Sequence, residues 1–159
     1  MKIVASAERR VCAPADRVYG YIRDFKDHHP YFLPPEFSGL VVEEGGIGAG
    51  TVHRFTLKLG GKTRTARVRV EEPVPGRVLT ETEPTTGLVT TFRVEPSGEQ
   101  QCVVRISTVY KARGVRGMFE RLAVPKLLAR LYLSELALLE RYALSRGSSM
   151  NLTVVATSS

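Results

Sequence analysis

Tryptophan is absent from the 159 residues, cysteine occurs twice and histidine three times. Two thiols, Cys12 and Cys102, are too few for a disulfide scaffold and lack the close paired spacing of a zinc site. They read as reduced thiols in a cytoplasmic protein. No apolar stretch is long enough to span a bilayer. The apolar run at residues 1–4 meets Arg9-Arg10 before it reaches signal-peptide length. A Gly-x-Ser-x-Gly elbow, a Walker loop and a dinucleotide fingerprint are all missing, so no cofactor is expected. His28 and His29 follow Asp27, but neighbouring side chains diverge and no further ligands stand nearby, so no metal is expected either.

What remains is the composition of one globular domain with a core: 43% hydrophobic and 25% charged residues, with 14 Gly and 9 Pro scattered as punctuation. The formal charge of +7 favours acidic partners, but a modestly basic soluble surface accounts for it as well, and no nucleic acid is expected. Residues 2–12 read as a strand. Ala13-Pro14-Ala15-Asp16 then suits the first turn of a helix, on which Val18, Tyr21, Ile22 and Phe25 recur at helical spacing. A second short helix follows at Asp27-His28-His29-Pro30 and ends before Pro34-Pro35.

From residue 37 to residue 110 the period changes to two. Phe55, Leu57 and Leu59 alternate with Arg54, Thr56 and Lys58, and Gly60-Gly61 turns that strand into one carrying Ala66, Val68 and Val70. Residues 77–83 form the next strand. Leu88, Thr90, Phe92 and Val94 line one side of its successor, and Val104, Ile106 and Tyr110 one side of the last. Residues 115–142 return to helical composition, interrupted only by Pro125, with Gly147 placed to cap the helix. A domain over 1–147 followed by a loose tail or added edge strand over 148–159 is the resulting division.

The order of strand, two short helices, six strands and long helix resembles the START-like, or SRPBCC, superfamily. That superfamily includes polyketide cyclases and dehydratases, lipid carriers and pollen allergens. The residues that carry the likeness are Ala13-Pro14-Ala15-Asp16-Arg17-Val18-Tyr19 with Ile22, Asp24 and Phe25, then His29-Pro30-Tyr31-Phe32-Leu33-Pro34 and Gly48-Ala49-Gly50-Thr51. The resemblance covers residues 2–146. It implies an α+β helix-grip fold in which a curved antiparallel sheet of about seven strands wraps the last helix around a cavity. It specifies a scaffold and leaves the chemistry to the lining. It also implies that Cys12 lies near Cys102, because the first and last strands pair.

A helical net at about 100° per residue sets Lys126, Arg130, Ser134 and Arg141 on one side of the last helix. Leu128, Leu131, Tyr132, Leu139 and Tyr142 gather opposite, with Glu135 in their midst. With Phe55, Leu57, Val68, Phe92, Ile106 and Tyr110 from the strands, Leu128, Leu131, Tyr132, Glu135 and Leu139 are the expected ligand-binding residues. A carboxylate at Glu135 requires a partner, a proton or pocket water. A structural ion pair, for instance with an inward Arg64, and a helix roll that wets it are its structural alternatives. Glu135, His53 and Tyr110 are the candidates for proton transfer, although a strand-end histidine more often faces water and such tyrosines more often pack.

Three functions stay open at this level: binding or transport of a small hydrophobic ligand, a cyclase/dehydratase-type reaction, and an interaction surface on the sheet face carrying Arg54, Lys58, Arg67, Arg69, Arg93 and Arg105. Leu133 on the polar side of the helix, with the C-terminal tail, points to a homodimer, and transient membrane contact is left open.

Overall fold

The structure, a computed structural model, describes residues 2–111 and 116–156, and the side chains of all of these except 116–122 and 148–156. Its seven strands are β1 (Lys2–Val11), β2 (Phe37–Glu44), β3 (Val52–Leu59), β4 (Lys62–Val74), β5 (Val78–Glu83), β6 (Leu88–Pro96) and β7 (Cys102–Lys111). Helix α1 (Ala15–Arg23) and one 3-10 turn at His29–Phe32 separate β1 from β2, and helix α2 (Arg116–Ala156) closes the fold. This is the α+β helix-grip architecture, with the second short helix reduced to a single turn. Pro30 sits at the start of that turn, where its missing N–H is no loss, and Leu33 leaves it in extended backbone before Pro34. Asp24 shapes the preceding turn by accepting hydrogen bonds from the backbone of Lys26 and Asp27 at 3.0 and 2.8 Å.

The sheet is antiparallel throughout, in the order β1-β7-β6-β5-β4-β3-β2. Lys2 therefore stands opposite Lys111. Between β3 and β4, Leu59 pairs with Lys62 across Gly60 and Gly61, whose φ values of 57° and 77° are those of the two-residue turn that matches strand twist. Parity sends Val68 and Val70 of β4, Phe92 and Val94 of β6, and Val104 and Ile106 of β7 to one face, all buried. The stripe Leu128, Leu131, Tyr132, Leu136, Leu139 and Ala143 of α2 is buried with them. Around α1 the interior is solid: Val11, Val18, Ile22, Phe25 and Phe32 join Val94, Val104, Leu136 and Leu139 at 0–1% exposure.

The expected cap at Gly147 and the added edge strand are corrected: helix α2 continues through Gly147 to Ala156. Gly147 has no left-handed backbone, and an interior glycine costs only about 1 kcal/mol relative to alanine, which does not stop a helix. The expected helix start at Val115 lies outside the described residues.

The sheet exterior behaves as a solvated face. Arg54, Lys58, Arg67, Arg69, Arg93 and Arg105 are exposed as parity requires. Glu43 engages Arg54 at 3.5 Å and Arg67 at 2.6 Å, and Glu95 engages Arg93 at 3.6 Å. At the β1–β7 seam Val11 pairs with Cys102, and Cys12 and Cys102 are both free thiols. Burial, with Cys12 and Glu140 nearby, pushes the Cys102 thiol up to about 11.

One polar cluster ties α1 to the glycine-rich loop 45–50. Glu72 Oε1 accepts from the Tyr19 hydroxyl and Arg23 Nε, both at 2.9 Å. Its Oε2 accepts from the second Arg23 nitrogen at 3.2 Å and the Ala49 amide at 2.9 Å. The Arg23 hydrogen bond leads the contributions that hold the Glu72 carboxyl down at about 2. Gly48, at φ +65°, lies so close that a Cβ would strike both Arg23 and Glu72.

Candidate functional site

Beyond the solid end, sheet and α2 part to leave a cavity of about 90 Å3 that opens to solvent. Empty apolar cavities of roughly 150 Å3 admit a benzene ring, so this one is on the scale of one small organic group. Its wall carries Phe55, Leu57, Val68, Phe92, Leu128, Leu131, Tyr132 and Glu135, eight residues of the sequence-derived set. Ile106 and Leu139 are in the packed core instead, at 1% exposure, because both lie toward the filled end. Tyr110 packs against that core from the end of β7 and is not on the wall.

His53 opens the inward row of β3, opposite Val68. At 2% exposure it is not the surface strand-end histidine that position usually gives. Its Nε2 lies 3.1 Å from Glu81 Oε1, so the ring donates to this carboxylate. Burial opposes the charge on Glu81, but His53, reinforced by His29, prevails and the carboxyl sits below its ordinary range. His53 Nδ1 is buried and has no hydrogen-bond partner among the described residues.

The partner of Glu135 is His29. Arg64 is engaged by Glu83, and at 2% exposure Glu135 has no wet rim, so of the structural alternatives the helix roll is removed and the ion pair is met by His29 in place of Arg64. The 3-10 turn presents His29 to the interior, where Nδ1 donates to the Ile22 carbonyl at 2.6 Å and fixes the tautomer. Its Nε2 then faces Glu135 Oε1 at 3.7 Å, longer than a hydrogen bond, so the two meet as charges across a gap. Burial, only partly offset by His29, pushes the Glu135 carboxyl up. Burial works against charge on His29, but Glu135 and Glu81 outweigh it and raise that ring. Both shifts run the same way, toward retaining a proton at the imidazole–carboxylate pair. Glu135 Oε1 has no hydrogen-bond partner among the described residues. Phe25 stacks on both histidines, with ring centres 4.6 Å from His29 and 4.5 Å from His53.

Two further polar groups complete the wall. The hydroxyls of Thr90 and Thr108 meet at 2.7 Å, and Thr108 bonds in turn to the Tyr132 hydroxyl. Burial pushes the Tyr132 phenol up to about 12, so it stays neutral. Toward solvent, Glu83 is bound by Arg64 and by the Thr86 hydroxyl. Among the described residues no three His, Cys, Asp or Glu side chains converge to hold a metal ion.

His29, Glu81, Glu83, Thr90 and Thr108 were not read from the sequence as site residues. A signal existed for the glutamates: Leu79 faces Phe92 across β5 and β6, so alternation carries Glu81 and Glu83 to the same inward side. His29 had no such signal, since only the turn geometry aims it inward.

A model of the family described as polyketide cyclase/dehydrase and lipid transport matches residues 2–143. Among solved structures, the KanY protein superposes with a TM-score of 0.78 at 29% identity, covering 90% of this chain and 98% of its own. The Zhui aromatase/cyclase from Streptomyces sp. R1128 gives 0.73 at 20% identity, covering 92% and 96%. A START superfamily protein from Mycobacterium smegmatis gives 0.71 at 16% identity, covering 89% and 97%. No curated protein matches. With nearly its whole length matched, and with its grip and cavity in place, the chain belongs to the polyketide cyclase/dehydrase and lipid transport family.

Proposed function

We propose that this chain binds a small, largely apolar molecule with one polar end inside the grip cavity. One observation carries the reading: an apolar wall that terminates in two buried polar atoms, His53 Nδ1 and Glu135 Oε1, which have no partner among the described residues. Buried polar groups are rarely left unmatched, and each unmatched one costs about 1–3 kcal/mol, so a ligand that satisfies them recovers that energy. Apolar burial supplies affinity and the polar end supplies orientation. Native mass spectrometry of the purified protein, combined with thermal shift on adding small aromatics, tests it. Wild type retains or gains a ligand and Ala66→Phe, which fills the wall, does not. Equal behaviour of the two proteins would refute the cavity as the binding site.

The His53–Glu81 pair also favours a second reading, a cyclase/dehydratase-type enzyme. A carboxylate that orients an imidazole leaves the far nitrogen as a base, and the proton shared by His29 and Glu135 is available as an acid. Turnover of a polyketone substrate that survives both His53→Asn and Glu135→Gln would remove these residues from any such reaction. Free Cys12 and Cys102 are in keeping with a reducing, cytoplasmic setting.

A further inference from the structure

The two unmatched atoms are alike in one respect: both seek a hydrogen. His53 commits Nε2–H to Glu81, so in the neutral ring Nδ1 is a bare lone pair. Glu135 Oε1, facing His29 Nε2 at 3.7 Å, accepts and does not donate while the shared proton rests on the imidazole. A ligand ending in a carbonyl or carboxylate would set lone pair against lone pair here.

A cation is the poorer match. The three carboxylates of the wall each already face a nitrogen: Glu81 has His53, Glu135 has His29 and Glu83 has Arg64. An ammonium could reach the same two open acceptors but would have to give up its water for a largely apolar wall, a cost that a neutral donor does not carry. The body of the ligand is set by the rings on the wall, namely His29, Phe37, His53, Phe55, Phe92 and Tyr132. Phe37 meets Phe55 edge-on at 5.4 Å and His29 meets Phe92 edge-on at 5.6 Å, arrangements that accept a further flat ring by stacking or by edge contact.

From these observations we infer that the cavity is a phenol site, in which an aromatic hydroxyl donates to His53 Nδ1 and a second ring hydroxyl, where there is one, donates to Glu135 Oε1. The inference rests on the cavity-binding reading and narrows it to one ligand chemistry. It assigns His53 and Glu135 as specificity-determining residues, and Glu81 as the positioning residue that leaves Nδ1 open.

Calorimetric titration with toluene, anisole and phenol, which differ little in size, tests it. Phenol is expected to bind at least about tenfold more tightly than anisole, because only phenol supplies the hydrogen. The preference is expected to vanish in His53→Phe/Glu81→Leu, which removes both members of the pair and leaves no orphaned charge. At least one dihydroxybenzene isomer is expected to exceed phenol in wild type but not in Glu135→Leu. Nitrogen-15 NMR of wild type gives an independent readout: free His53 Nδ1 carries the signature of an unprotonated nitrogen, and phenol moves it.

Anisole binding as tightly as phenol, or a protonated Nδ1 in the free protein, overturns the phenol assignment and leaves the cavity reading standing. Failure of all three probes to bind overturns both. Retention of the phenol preference in the double variant removes His53 from the site. A wild type in which no dihydroxybenzene gains over phenol removes Glu135.

Discussion

Two polar clusters, one partly buried and one buried, sit in this domain, and they differ in how completely they are satisfied. At the α1 end, both oxygens of Glu72 are filled, by Tyr19, by Arg23 twice and by the Ala49 amide. At the cavity end, His53 and Glu135 each keep one buried atom with no partner among the described residues. A closed network fixes backbone: it fastens the glycine-rich loop to α1. An open network of similar ingredients holds unused hydrogen-bonding capacity and therefore points to something that binds. Burial alone does not separate structural charge from functional charge; the count of filled valences does.

That contrast can be broken by removing one carboxylate from each cluster. Glu72→Ala is expected to cost about 2–3 kcal/mol, since it orphans a half-buried Arg23 guanidinium and a tyrosine hydroxyl, and to lower Tm by roughly 5–10 °C in calorimetry. Phenol discrimination is expected to survive it.

Acidity sharpens the contrast next. Glu72 is held at about 2, below its ordinary 4.5, so its stabilisation is full above pH 4.5 and is lost as pH falls toward 2. His29 is raised above 6.5, so its contribution is full below pH 6.5 and is lost as pH rises through its folded value. Thermal melts across pH are expected to show both limbs. Glu72→Gln flattens the acid limb only, and His29→Phe the alkaline limb only.

The smallest effect on stability belongs to Glu135→Leu. Leucine removes a desolvated carboxylate with incomplete hydrogen bonding, and at alkaline pH the His29 it leaves behind is neutral, so there unfolding free energy is expected to stay within about 1 kcal/mol of wild type by denaturant titration. A loss as large as that of Glu72→Ala would make Glu135 a structural residue and erase the distinction between the clusters.

Much of this was legible in the sequence. Strand parity placed Phe55, Leu57, Val68 and Phe92 inward, and a helical net set Glu135 among leucines, because both patterns depend only on backbone period. The depth of the cavity along each element was not legible, and so Ile106 and Leu139 were assigned to a wall they do not reach. His53 was read as more often exposed, since its inward parity could not show that Glu81 lay across the interior to receive it. His29 and Glu135 are far apart in sequence and meet only because the 3-10 turn packs against α2. Partner identity of this kind is a tertiary fact with no local signature.

The placement of β1 beside β7 has a consequence for how the molecule is made. During synthesis β1 is made before β7, which at 102–111 is its neighbour among the described strands, so its pairing edge waits while β2 to β6 are still being synthesised. Such distant closure is slow, and the waiting edge is open to other chains in the meantime. A circular permutant that begins at β2 and joins residues 111 and 2 through the natural helix and a linker would relieve that wait and assemble faster.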